Sequence, residues 1–209
     1  MSERPSLIVV SGPSGAGKST ILSRALRELD RLRFSVSHTT RGPREGETAG
    51  VDYHFVGRDE FDRMRQASRF LEWAEVHGQL YGTSLDEYER AVREGVDLLL
   101  DLDVQGASHV RESFPDAVSI FILPPSYAAL ERRLRDRGAD DEASFRRRIV
   151  AAGEELGLYR AYDYAIINED LDTSVESLEA VIRAARCRTS RVDPQAQSIL
   201  RTFPAQKEG

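Results

Sequence analysis

The sequence predicts an α/β protein: a mostly parallel sheet flanked by helices, with a small antiparallel subdomain inserted and a helical lid. Three observations lead there. Along most of the chain short apolar runs alternate with amphipathic helical stretches, the pattern of parallel strands joined by crossover helices. Residues 37–83 break the alternation with short strand-like segments and glycine turns, and residues 126–157 break it with an arginine-dense helical stretch. The 209 residues suit one mid-sized core with insertions.

Taken in order, Leu7-Ile-Val-Val10 is a buried strand, and an amphipathic helix runs on from Thr20. Phe34-Ser-Val-Ser37 is a second short strand. Asp52-Tyr-His-Phe-Val56 and Phe70-Leu-Glu-Trp-Ala-Glu-Val76 supply the small sheet, with Gly42-Pro43, Gly46 and Gly50 as turns. Residues 84–94 read as a helix opened by a capping box of Ser84 and Glu87. Asp97–Asp101 and Val118–Leu123 are central strands, the latter stopped by Pro124-Pro125. Helices are expected over 126–136 and 141–158, a last strand over Tyr164–Asn168 and a last helix over 172–187. Residues 188–209 lack clear periodicity and carry two prolines, so a loose tail is expected. The core is thus 5–36, 84–125 and 158–187, the inserted subdomain 37–83 and the lid 126–157.

Composition narrows the function classes. No stretch approaches the roughly 20 apolar residues of a membrane span, and the first residues do not resemble a signal peptide. The single Cys187 allows no internal disulfide, which suits the cytoplasm, and reads as an incidental helix residue. A net charge of −6 argues against broad nucleic-acid binding. His38, His54, His77 and His109 lack metal-ligand spacing, so no protein-held transition metal is expected.

Ser11-Gly-Pro-Ser-Gly-Ala-Gly-Lys-Ser-Thr20 fits G-x-x-x-x-G-K-[ST] between a strand and a helix, the context that makes the pattern a P-loop. Gly12, Pro13, Ser14, Gly15, Ala16 and Gly17 form a turn whose backbone N–H groups, Pro13 having none, face polyphosphate at a helix N-terminus. Lys18 would reach the outer phosphates and Ser19 would ligate Mg²⁺. Arg41 and Arg44 flank a Gly-Pro turn and are either surface charge or a bidentate phosphate grip. Tyr53 and Tyr81 could each donate a phenolic hydrogen bond to the same group. Glu72 is either strand-edge charge or a carboxylate that accepts from guanine N1–H and the 2-amino group. Asp101 and Asp103 leave the C-terminal end of a central strand, where ligands of open α/β sheets gather, so one of them bears on Mg²⁺ or substrate. For any single one of Arg132, Arg133, Arg135, Arg137, Arg146, Arg147 and Arg148 a solvated face is sufficient explanation. As a group beside a P-loop they suggest a lid over nucleotide phosphates.

At these residues the chain resembles the guanylate kinase family of P-loop nucleoside monophosphate kinases, from about residue 5 to 187. The resemblance rests on Ser11–Ser19, Ser35-Val-Ser-His-Thr-Thr-Arg-Gly-Pro-Arg44, Gly50-Val-Asp-Tyr-His-Phe55, Phe70-Leu-Glu-Trp-Ala74, Tyr81-Gly-Thr-Ser84, Asp101-Leu-Asp-Val-Gln-Gly106 and Arg133-Leu-Arg-Asp-Arg-Gly138. It implies phosphoryl transfer from MgATP to GMP, and to dGMP, giving ADP and GDP. It implies that Arg41, Arg44, Tyr53 and Tyr81 hold the GMP phosphate, while Ser37, Glu72, Thr83 and Asp103 face guanine. It implies too that Arg133, Arg137 and Arg148 come to the transferring phosphoryl group, with Lys18 and Arg44 the further catalytic residues. Ser19 and Asp101 are the expected metal contacts, Asp101 directly or through water. His38 and Thr83 stand where other members have serine; position 83 keeps its hydroxyl, so guanine specificity is expected to survive.

Three rivals share parts of this pattern. A kinase for AMP, dTMP or UMP would share P-loop and lid but not Glu72 with Thr83 and Ser37. A non-catalytic module binding phosphorylated proteins typically lacks the complete P-loop seen here. A kinase for a phosphorylated ribose would need no base-reading carboxylate. No obligatory protein partner is evident.

Overall fold

The computed structural model describes residues 5–76, 78–136 and 142–203. Its elements are β1 Leu7–Ser11, α1 Lys18–Glu28, β2 Leu32–Phe34, β3 His38–Thr39, β4 His54–Phe55, α2 Arg58–Gln66, β5 Phe70–Val76, β6 Gln79–Ser84, α3 Leu85–Glu94 and β7 Asp97–Asp101. There follow α4 Val104–Ser113, β8 Val118–Leu123, α5 Tyr127–Asp136, α6 Glu142–Leu156, a 3₁₀ turn at Gly157–Ala161, β9 Tyr164–Ile167, α7 Leu171–Arg186 and α8 Thr189–Leu200. One sheet has the order β2-β7-β1-β8-β9, with every pair parallel. The other has the order β4-β3-β6-β5, antiparallel except for the β3–β4 pair.

The apolar run of β1 is continuous because both faces of the central strand are covered. Ile8 and Val10 pack with Ile21, Ala25, Leu178 and Ile182 of α1 and α7. Leu7 and Val9 point the other way, toward Ala91, Ala107 and Val110 of α3 and α4. The lid helices have an apolar seam of their own, Leu130, Leu134, Phe145 and Ala152.

Several elements depart from expectation. The strand predicted over Phe34–Ser37 is divided: β2 ends at Phe34, and the chain passes into the second sheet as β3. Ser84 does precede α3, but its side chain makes no cap; Glu87 turns instead toward Arg33 Nε, 3.6 Å away. Helices α2 and α4 were not expected. Helix α2 buries only Phe61 and is legible chiefly from charge, with Asp59 and Glu60 in its first turn and Arg63 and Arg65 in its last. Asp103 caps α4 by accepting from the Gly106 N–H at 2.8 Å.

The tail is the largest correction. Residues 189–200 are helical, with Pro194 inside. Helix α8 buries no residue, so it carries no apolar stripe to read from sequence. Polar contacts dock it: Arg191 reaches the buried Asp97 Oδ1 at 2.5 Å, beside Arg186 on Oδ2 at 2.7 Å and the Ser6 N–H at 2.9 Å. Arg188 also donates to the Asp116 carbonyl.

Candidate active site

Helix α1 opens on Gly17 with no side-chain cap and no acidic residue in its first turn. Its N-terminal N–H groups and dipole are therefore left for an external anion. The turn before it admits only glycine at two points. A Cβ at Gly12, φ +142°, would stand 2.3 Å from the Ile122 carbonyl oxygen. One at Gly17, φ +94°, would meet Asn168 Nδ2 at 2.2 Å. Asn168 donates to the Ala16 carbonyl at 2.7 Å, which pins the turn to the end of β9.

A cavity of about 370 Å³ opens at the C-terminal ends of β1 and β7. Gly12, Ser14, Lys18 and Asp101 line it together with Ser37, Tyr53, Glu72, Tyr81 and Asp103. Lys18 Nζ donates to the Gly12 carbonyl at 2.5 Å and lies 4.0 Å from Asp101 Oδ1. Burial pushes the Asp101 carboxyl up, and Lys18 opposes the shift. Ser19 and Thr20 sit exposed on the first turn of α1, outside the cavity lining. Ser19 hydroxyl and Asp101 carboxylate are hard oxygen donors on either side of Lys18, a chemistry that suits Mg²⁺.

Glu72 is buried, 6% exposed, and its Oε1 accepts the Thr83 N–H at 3.0 Å. Burial raises its pKa above the ordinary carboxylate value, Thr83 partly opposes, and Asp103 adds to the rise. The Thr83 hydroxyl is fully buried beside this carboxylate and completes no hydrogen bond of good geometry within the protein.

Arg41 does not offer an open fork. Its Nε donates to Tyr81 Oη at 3.3 Å, and Nη1 donates to the Gly42 carbonyl at 2.8 Å and Glu47 Oε2 at 2.9 Å. Nη2 donates to Glu47 Oε1 at 2.8 Å. Of five N–H groups, these contacts leave one on Nη2. The guanidinium also lies over the Tyr53 ring, 5.3 Å from its centroid. Glu47 accepts from the Arg44 N–H at 2.7 Å as well, so this carboxylate, missed in the sequence, ties both arginines of the turn. The Arg44 side chain is exposed.

The lid arginines divide. Arg133 lies against the P-loop, donating to the Ala16 and Asn168 carbonyls, each at 3.3 Å. Arg148 donates to Ser14 Oγ at 3.1 Å. Arg137 lies outside the described residues, as does His77. Glu155 of α6 also lines the cavity; no motif singled it out.

A P-loop at a helix N-terminus in a five-stranded parallel sheet, sharing a cavity with a second small sheet, defines a P-loop phosphotransferase. A guanylate kinase family model matches residues 4–185, and the chain belongs to that family. It is 50% identical over 186 residues to a guanylate kinase of Geobacter sulfurreducens, covering 89% of this chain and 92% of that one. It is 43% identical over 207 residues to the guanylate kinase of Alcanivorax borkumensis, covering 99% and 100%. The crystal structure of guanylate kinase from Anaplasma phagocytophilum superposes with a TM-score of 0.75 at 35% identity, covering 90% of each chain. The protein is a kinase. Among the described residues no helix is long and apolar enough to cross a membrane.

Proposed function

We propose that this kinase transfers the γ-phosphoryl group of MgATP to GMP, and to dGMP, releasing ADP and GDP, in the cytoplasm. One observation carries the reading: a single cavity is lined both by Lys18 of the P-loop and by the buried carboxylate Glu72. Residues Gly12 to Thr20 hold the ATP phosphates, with Lys18 on the outer ones. Ser19 and Asp101 would hold Mg²⁺, which would supply charge neutralisation for the phosphates. Arg41, Arg44, Tyr53 and Tyr81 orient the GMP phosphate, whose oxygen is already anionic and needs no base. Ser37, Glu72, Thr83 and Asp103 read guanine. Arg133, Arg137 and Arg148 meet charge spreading onto the equatorial oxygens. A panel of GMP, dGMP, AMP, dTMP and UMP with MgATP, followed by ADP release, tests the assignment; turnover of AMP or a pyrimidine in preference to GMP overturns it.

The phosphate clamp makes a separate prediction. Arg44→Met is expected to weaken GMP binding by about 2 kcal/mol, roughly 30-fold, with ATP affinity nearly unchanged. Arg41→Met should cost less than a bidentate grip would, because Glu47 already occupies its fork. Calorimetry showing GMP affinity intact in both variants would place the acceptor phosphate elsewhere.

The lid is proposed to close over the phosphates. Helix α5 is anchored: Leu130 and Leu134 are both 2% exposed and pack on Gly15. Outside its seam with α5 at Phe145 and Ala152, most of α6 is exposed or half-buried, so α6 is the part proposed to move. Hydrogen exchange over 142–156 and 37–83 should slow when a bisubstrate analogue binds, while α5 changes little. Equal protection with and without ligand would argue for a rigid site.

A further inference from the structure

We propose that Gly106 sets base specificity by leaving room for Glu72 and Asp103 to converge on one wall of the cavity, an inference that rests on the guanine reading above. Gly106 lies in the first turn of α4, and its backbone is not in the left-handed region, so conformation does not require glycine. Space does. A Cβ there would stand 2.8 Å from Glu72 Oε2, 3.4 Å from Glu72 Cδ and 3.2 Å from Asp103 Oδ1.

Such a short contact is cheap when the neighbour is a free, flexible side-chain end. Glu72 is not free: its other oxygen accepts the Thr83 N–H at 3.0 Å, and the side chain is buried. Asp103 Oδ1 is likewise held, by the Gly106 N–H at 2.8 Å. A methyl group would therefore push the Glu72 carboxylate off the α4 N-terminus, where the helix dipole offsets its charge. It would also disturb the capping aspartate. Glycine is a poor choice for a helix by propensity, and alanine would favour α4 itself. The position thus trades helix stability for the placement of two acceptor groups.

The test is Gly106→Ala, alone and combined with Glu72→Ala. Melting should stay within about 4 °C of the parent, the scale of a small stability change in a protein of this size. KM for GMP should rise about 10-fold or more, as displacement of a reading group by a fraction of an ångström implies. The kcat at saturating GMP and KM for ATP should stay within about 3-fold, since neither depends on the base wall. In the Glu72→Ala background only the looser contact with Asp103, at 3.2 Å, remains, so adding Gly106→Ala should raise KM for GMP by clearly less than it does in the parent, about 3-fold or under. An unchanged KM in Gly106→Ala, an equal rise in both backgrounds, or loss of the fold overturns the proposal. A Glu72→Ala enzyme that keeps the parent's preference for GMP over AMP refutes the guanine reading itself, and this role for Gly106 with it.

Discussion

Lys18→Ala is expected to lower kcat by about 10³-fold or more, the scale of removing one preorganised charge from a transferring phosphoryl group. Lys18 donates to the Gly12 carbonyl at 2.5 Å and lies 4.0 Å from Asp101. Its side chain lines the site cavity and belongs to neither apolar cluster of the sheet, so its loss leaves the core packing in place. Circular dichroism should therefore show a native fold. Near-parental turnover by a folded Lys18→Ala protein would sink the catalytic assignment.

Glu72→Gln should lose most of its kcat/KM for GMP. On the proposed reading, the carboxylate would accept from guanine N1–H and the 2-amino group while a Thr83 or Ser37 hydroxyl would meet O6. An amide offers one acceptor oxygen and no charge. AMP inverts the pattern, because its N1 is an acceptor that would face the carboxylate. A site built on buried pairing rejects such a mismatch by about 10⁴–10⁵. The same residue should leave a mark on the pH profile. Burial raises the folded-state pKa of Glu72, so its charged form costs stability as pH rises through that value. The base-reading form is lost as pH falls through it. The acid limb of kcat/KM for GMP should thus begin above the ordinary carboxylate range and flatten in Glu72→Gln. The GMP phosphate titrates with both enzymes, so the difference between profiles isolates Glu72. If Glu72→Gln leaves the GMP-to-AMP ratio unchanged, guanine is read elsewhere.

Much of this was legible before any coordinates. The run Leu7–Val10, the glycine turn and Lys18 specify their own local structure, because strand, turn and helix each follow from neighbours in the chain. The β7 and β8 runs are equally self-declaring, since a parallel strand covered on both faces must be apolar throughout. Local sequence says little where stability comes from contacts distant in the chain. Helix α8 is held by Arg191 on Asp97, a pairing across 94 residues that no hydropathy period records. No motif singles out Glu47, and only the structure sets it against the Arg41 fork. Gly106 read as part of a motif, and only the approach of Glu72 from β5 shows what its missing side chain admits. The sequence by itself determined the fold class, the P-loop and the residue types available for phosphate and base. Tertiary structure decided which carboxylates meet and which arginine has N–H groups to spare, because those depend on side chains converging through space from separate elements.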